Sequence, residues 1–476
     1  MKKLTKIVAT VSDLNCDEEF IKGLYKAGMN VVRCNTAHMD FEGISRIIKN
    51  TRAVSEKIAT LVDTKGPEIR TTKCESPLEL VAGNKIIFKG DPSMLSTTDC
   101  ICVSYEGFVS DLSIGNQILI DDGEISMIVL EKHADHLVCQ IENSGVVGSR
   151  KSVNVPGVRI NLPSLTEKDR GFILWAIDND LDFIAHSFVR NRQDVLEIQE
   201  ILDAHNSPIK IIAKIENQEG VENLDEILEV VYGVMIARGD LGIEVPQEKI
   251  PLIQRTMIRK CVEAKKPVIV ATQMLHTMIK NPRPTRAEVT DVANAIYYRT
   301  DAIMLSGETA NGKYPKEAVQ TMTKIAKEVE AAKDSRNDIP VPFVKEDITA
   351  YLAETAVKAS RELPIKAVLT DSFTGKTARY LAAFRGNVPV YSLSYSARVG
   401  RELALSYGVF PKMMEEGKTK SEIIKKTIEK LLRKGDVAGT DLIAYIGGSF
   451  GIGGGTTFLE IVTIDNLLKK IDSYIN

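Results

Sequence analysis

Short apolar runs alternate with stretches of helical period through most of the chain up to residue 330. The runs fall at residues 6–11, 30–35, 58–64, 183–189, 210–216, 233–238, 267–273 and 302–307. Each is rich in Val, Ile and Ala, and most are separated by enough chain for a helix. Near-continuous apolar strands alternating with helices predict a parallel sheet covered on both faces. Eight such units are the number that closes a (β/α)8 TIM barrel; a doubly wound open sheet is the alternative on count alone. One helix start is well marked. Thr166-Glu167-Lys168-Asp169 has the form of a capping box ahead of an apolar stripe at Phe172, Leu174, Trp175 and Ile177.

Between Gly66 and Leu162 the helical pattern gives way to period-2 segments at 85–88, 117–120, 125–130 and 137–141, with Asp122-Gly123 as a hairpin turn. An all-β domain inserted after the third barrel strand sits where βα loops emerge, so it reads as a lid. The polar stretch 331–340 reads as a linker or helix end. Beyond it, helical segments at 348–362, 377–384 and 421–433 alternate with strands at 366–370, 389–393 and 442–447. The expected organisation is a catalytic barrel from residues 1–66 and 162–337, an inserted β-barrel lid at 67–161, and a C-terminal α/β domain at 338–476.

Composition narrows the function classes. Lys plus Arg number 61 against 64 Asp plus Glu, a net charge of -3, which is not the footprint of a nucleic-acid binder or a polybasic membrane partner. No apolar run is long enough to span a bilayer. The positive start at Met1-Lys2-Lys3 lacks a signal-peptide apolar region. Seven cysteines without a metal-type CxxC pair read as reduced packing thiols. A multidomain, soluble, cytoplasmic protein is expected.

In a TIM barrel, catalytic groups come from the carboxyl ends of the strands. Here those ends carry Arg33 and Asn35, Asp63 and Thr64, Lys214 and Glu216, Arg238 and Asp240, Thr272 and Gln273, and Ser306 and Glu308. Alternation places Lys214 and Glu216 on one face of the fifth strand, where burial is costly unless the charges are paired or bind something charged. A structural ion pair is the bland reading. Asp240, one strand along, supplies the second carboxylate that a hard cation such as magnesium uses alongside phosphate and water. Gly239 lets the backbone approach a ligand, Thr272 adds a hydroxyl, and Arg33 adds a fork for phosphate or carboxylate. This set suits an anionic substrate whose charge moves during reaction, as in phosphoryl transfer or enolate chemistry.

Residues 209–221, containing Lys214-Ile215-Glu216-Asn217, closely resemble the signature of the pyruvate kinase family. Similar to that family too are Asp63-Thr64-Lys65-Gly66-Pro67-Glu68-Ile69-Arg70, Ala237-Arg238-Gly239-Asp240-Leu241-Gly242, Ala271-Thr272-Gln273-Met274-Leu275 and Met304-Leu305-Ser306-Gly307-Glu308. The resemblance runs in order along the whole chain. It implies transfer of the phosphoryl group of phosphoenolpyruvate to ADP and protonation of the enolate to pyruvate. By position, Lys214 would stabilise the moving phosphoryl group, and Arg33 would grip the phosphate. Glu216 and Asp240 would hold Mg2+, Gly239 and Asp240 would border the substrate, and Thr272 would lie beside the protonated carbon. Arg70 and Lys151 match nucleotide-phosphate residues, with Asn35 and His38 at the nucleotide end. The resemblance further implies a second Mg2+ carried by the nucleotide, a homotetramer, and K+ bound by Asn35, Asp63 and Thr64.

One departure stands out. Where the family has a serine that joins the K+ site, this chain has Ala37, within Asn35-Thr36-Ala37-His38-Met39. Thr36 is adjacent, but alternation on a strand would point it away. In the tail, residues 370–377 nearly spell a P-loop, with Thr370 where the first glycine belongs. Thr370, Ser372, Thr374, Gly375, Lys376 and Thr377 form a candidate phosphate cradle at the place where the family binds phosphorylated sugar effectors. The glycine-rich loop 447–456 lacks the family's basic residue there, and a ligand-free turn is the alternative. His186, within an apolar strand, reads as a satisfied core histidine, and 241–253 as a loop over the barrel that contributes to subunit contacts. Two competing functions stay open: a catalytically weak regulatory protein of the same fold, and a different enolate-handling barrel enzyme.

Overall fold

The computed structural model describes residues 2–332, 339–342, 347–413, 419–448 and 455–475. Eight parallel strands close into a barrel in chain order: Lys6–Thr10, Val31–Asn35, Ala59–Asp63, Phe183–His186, Lys210–Ile215, Gly233–Ala237, Val268–Ala271 and Ala302–Leu305. The open-sheet alternative is thereby excluded. Alternation along each strand sends one set of side chains inward and the other toward the helices. Val8, Leu61, Ala185, Ile212 and Met235 cluster inside the barrel. Ile7, Val62, Ile184, Ala213 and Ile236 instead join the larger core between strands and helices. A polar residue continuing the inward set past the apolar layers therefore emerges at the carboxyl mouth.

Capping chemistry sets where the surrounding helices begin. The Thr166 capping box is present with Asp169, opening helix Glu167–Asp178. Its buried face is Phe172, Ile173 and Ala176, while Leu174 is exposed, so the stripe is turned relative to the expected one. Residues 241–253 are not a loop: helix Arg238–Glu244 is followed by a 3-10 turn and by helix Ile250–Glu263. Pro251 sits in the first turn of that helix, where no intrahelical N–H bond is required.

The inserted segment forms a seven-stranded sheet containing Lys85–Lys89, Gln117–Ile120, Ile125–Lys132 and Leu137–Ile141. A bridge between Thr71 and Val103 links the extensions of its two edge strands. Its own core, including Phe88, Phe108, Met127 and Leu137, is separate from that of the barrel. The tail contributes a five-stranded sheet ordered Val409–Met413, Val390–Ser394, Ile365–Ser372, Leu442–Gly447 and Phe458–Thr463, with only the last strand antiparallel. The expected linker at 331–340 and the glycine-rich loop at 447–456 lie partly outside the described residues.

The tail docks on the amino end of the barrel, opposite the strand ends that carry the polar residues. Ala404 and Leu405 join the barrel's interior cluster. Asp301, just before the eighth strand, accepts both Arg385 guanidinium nitrogens at 3.0 and 2.6 Å. Asp182, just before the fourth, accepts Arg401 Nε at 2.6 Å. The carboxyl mouth is left to the inserted segment, whose Asn154 amide donates to Glu244 at 3.2 Å.

Candidate active site

At the barrel mouth a chain of charges links the second, third and fifth strands. Arg33 Nε donates to Asp63 Oδ2 at 2.6 Å, and its Nη1 to Thr10 Oγ1 at 2.9 Å. The other Asp63 oxygen lies 2.9 Å from Lys214 Nζ, which is also 3.0 Å from Glu216 Oε1. All four side chains are buried. Ser187, just past the fourth strand, accepts from Lys214 Nζ at 2.6 Å and donates to Thr64 O at 2.6 Å. The Phe188 N–H donates to Glu216 Oε2 at 2.7 Å. Ser187 and Phe188 did not emerge from the sequence because the apolar run 183–189 reads as unbroken strand. Position alone held a signal: only the first and fourth strands had no mouth residue assigned to them.

The charges do not balance within the protein. Arg33 and Lys214 face three carboxylates, Asp63, Glu216 and Asp240, the last acting on both Lys214 and Glu216. Burial favours the neutral acid at Asp63, yet the Arg33 and Lys214 charges hold it below the usual carboxylate range. Burial likewise opposes the charge on Lys214, but Asp63 and Glu216 raise its pKa, so it remains an ammonium. Glu216 is pushed up to about 7 by burial; Lys214 works against this, while Asp240 and Asp63 reinforce it. A carboxylate surplus, made up by the half-buried Asp240 beside the buried Asp63 and Glu216, is the electrostatic condition that a bound cation relieves. Among the described residues no group of three or more His, Cys, Asp or Glu is placed to hold a metal; Glu216 and Asp240 follow the fifth and sixth strands as two carboxylates at adjacent strand ends.

The sixth and seventh strand ends complete the rim. Gly239 and Asp240 open helix Arg238–Glu244, and the Gly239 N–H donates to Thr272 Oγ1 at 2.7 Å. Thr272 has φ 68 and Gln273 φ 53, a left-handed pair that ends the seventh strand early. A β-branched residue in that region is strained and persists only when its surroundings hold it. Arg238 is the clamp: it donates to Thr272 O at 2.6 Å and to Ala271 O at 3.2 Å, and pairs with Asp291 at 2.7 Å. Glu308, by contrast, has a structural role, accepting the Leu275 and Ser306 N–H groups at 3.1 and 2.8 Å.

The remaining sequence-chosen residues separate into two groups. Asn35, Asp63 and Thr64 stand on adjacent strand ends. Asn35 Oδ1 accepts the Ala37 N–H at 3.1 Å, and the Thr36 hydroxyl donates to Asp63 O at 2.9 Å. Thr36 lies past the strand end, so alternation does not govern it. Arg70 pairs with Glu68 at 2.8 Å, Lys151 pairs with Asp121 at 2.5 Å, and His38 is exposed. In the tail, Gly375 at φ 78 turns the chain into helix Lys376–Ala383. Thr370 and Ser372 are buried, Thr377 bonds Thr456 at 2.8 Å, and Lys376 lies 3.3 Å from Asp347. His186 is buried as expected, but among the described residues neither ring nitrogen has a hydrogen-bond partner, which differs from the satisfied histidine expected.

Two family models match this chain: "Pyruvate kinase, barrel domain" over residues 2–319 and "Pyruvate kinase, alpha/beta domain" over residues 351–462. A pyruvate kinase from Borreliella burgdorferi is 47% identical over 98% of this chain and 99% of its own length. One from Clostridium acetobutylicum is 40% identical over 97% of this chain and 99% of its own length. A solved pyruvate kinase from Cryptosporidium parvum superposes with a TM-score of 0.91 at 36% identity, covering 97% of this chain and 96% of that one. With both domains matched in order and the strand ends bearing Arg33, Lys214, Glu216 and Asp240, the chain belongs to the pyruvate kinase family.

Proposed function

We propose that the barrel-mouth site transfers the phosphoryl group of phosphoenolpyruvate to ADP, giving pyruvate and ATP in glycolysis, with Lys214, Arg33 and Thr272 as its catalytic residues. The observation that carries this reading is the gathering of three carboxylates, Asp63, Glu216 and Asp240, around the Arg33 and Lys214 charges at the barrel mouth. It is a phosphotransferase site by family, and the family requires a divalent metal. The relatives lend no support to the regulatory alternative.

Arg33 is oriented at both ends of its guanidinium by Asp63 and Thr10, so its fork can meet a substrate phosphate without reorganising. Lys214 is fixed by three oxygen partners and carries its full charge to the transferring group. Gly239 and Asp240 border the substrate, and the Thr272 hydroxyl is held beside it by the Gly239 N–H. Glu216 and Asp240 fit Mg2+, which when bound would supply the divalent charge that lets a phosphorylated carboxylate enter a site already rich in carboxylate. A second Mg2+ comes with the nucleotide. Asn35, His38, Arg70 and Lys151 are assigned to ADP; the pairs Arg70–Glu68 and Lys151–Asp121 would yield to its phosphates. Asn35, Asp63 and Thr64 are assigned to K+.

The division of labour follows the three segments: residues 1–66 and 162–337 for catalysis, 67–161 as lid, and 338–476 for regulation. Thr370, Ser372, Thr374, Gly375, Lys376 and Thr377 would receive a phosphorylated effector beside the central tail strand, where the strand order reverses. A homotetramer is proposed from the resemblance to the family. No helix among the described residues is long and apolar enough to cross a membrane, and a cytoplasmic location is proposed.

Mn2+ binding, read by electron paramagnetic resonance without substrate, tests the metal assignment. Glu216→Gln and Asp240→Asn should each weaken it about tenfold or more. Unchanged binding in both variants would place the cation elsewhere.

A further inference from the structure

The inserted sheet meets the barrel mouth where the Asn154 amide donates to Glu244 Oε1 at 3.2 Å. Each partner ends an element that carries part of the site. Asn154 closes the strand Ser152–Asn154, which begins directly after Lys151. That strand is paired with Ile69–Arg70, and Ser152 lies opposite Arg70. Further bonds lock the two together: the Thr71 N–H donates to Lys151 O at 2.8 Å, and Arg70 Nη1 donates to Arg150 O at 2.7 Å. Arg70 and Lys151, the residues assigned to the nucleotide phosphates, therefore share one edge of the lid with Asn154. Glu244 is the last residue of helix Arg238–Glu244, whose first turn holds Gly239 and Asp240.

Glu244 is a costly residue for its own helix. It follows Asp240 by one turn on the same helix face, and like charges at this spacing are destabilising. Burial pushes its pKa up and Asp240 adds to this, while the Asn154 amide works against both. A second contact between the insertion and the barrel, Arg159 Nε to Glu219 Oε1, is 3.8 Å long and leaves the Arg159 side chain 80% exposed. We propose that Asn154 and Glu244 are positioning residues for the transfer: their bond fixes the nucleotide edge of the lid against the helix that bears Gly239 and Asp240, and so aligns ADP with the phosphoryl donor. This rests on the phosphotransfer reading given above. Neither side chain is assigned to substrate or metal; each acts through the element that ends in it. Phosphoryl transfer depends on in-line positioning, so a small displacement of ADP costs rate even when both substrates still bind.

The test is steady-state kinetics of Asn154→Ala and Glu244→Ala in the full chain, beside equilibrium binding of phosphoenolpyruvate and of Mn2+ without ADP. Each variant should lose about tenfold in kcat/KM for ADP, as loss of one hydrogen bond does, with kcat falling as well. Binding of phosphoenolpyruvate and Mn2+ should be unchanged. The double variant should be no worse than either single one, because both side chains act through one bond. Glu244→Gln keeps an acceptor for the Asn154 amide and should largely restore the rate. Arg159→Ala should leave kcat and KM as they are. No turnover by the unaltered chain would overturn the phosphotransfer reading and this inference with it. With turnover present, this inference alone is overturned if both single variants match the unaltered chain or if their effects add in the double variant. An equal loss of phosphoenolpyruvate and Mn2+ binding would overturn it too, by showing that Glu244 merely holds Asp240 in place.

Discussion

Ala37 is the residue at which this chain parts from its family's pattern, and its surroundings show what the change removes. Its N–H is held by Asn35 Oδ1, and the neighbouring Thr36 hydroxyl is committed to Asp63 O. The Ala37 methyl group offers no oxygen to a monovalent cation, and the Thr36 hydroxyl is oriented by its donation to Asp63 O. Restoring an oxygen by Ala37→Ser should tighten the K+ response of turnover while leaving the K+-saturated rate nearly unchanged. The check is a K+ titration of both proteins, and superimposable curves would mean that another oxygen already completes the site. Lys214 and Glu216 were legible in sequence because two charges two residues apart on an apolar strand must share one face. Ser187 was not, because a serine among His186, Phe188 and Val189 carries no periodic signal, and the strand ends through the left-handed Phe188 at φ 57.

The strands explain both what could be read and what could not. Barrel strands stand out because they are buried on two sides. Their carboxyl ends were read too long, as in the seventh, where Thr272 and Gln273 break the strand to build the rim. In the insertion, strands such as Ile69–Arg70 and Ser152–Asn154 contain too few residues to display alternation. The fourth barrel strand, Phe183–His186, carries a titration of its own. Desolvation holds His186 at about 4, against the attraction of Asp194 and Asp169, while the unfolded side chain titrates near its ordinary value of 6.5. The folded pKa is depressed, so the unfolded chain takes up the proton first as pH falls. The neutral ring's contribution is full above about 6.5 and is lost on descent toward 4, roughly 3 kcal/mol in all. His186→Leu should remove that part of the acid sensitivity, as measured by urea unfolding across this range. Parallel pH profiles would show that the ring does not titrate in this way.

At the scale of the whole molecule, chemistry and docking occupy opposite ends of one barrel. Asp301 is the firmest joint at the docking end: it binds Arg385 twice and also accepts the Val268 and Tyr407 N–H groups at 3.2 and 3.1 Å. Removing one partner of a buried pair leaves the other charge uncompensated. Asp301→Ala should therefore cost about 3–5 kcal/mol of stability, seen in denaturant unfolding. A loss below about 1 kcal/mol would mean that the joint is solvated, as surface pairs are. The other end rests on Lys214, whose ammonium is held in place by Asp63, Glu216 and Ser187. The decisive measurement is turnover of phosphoenolpyruvate and ADP to pyruvate by Lys214→Met beside the unaltered chain, with saturating Mg2+ and K+. The account predicts a fall of about a thousandfold or more with substrate binding retained, because the charge acts on the moving phosphoryl group. Turnover within tenfold of the unaltered chain would contradict it.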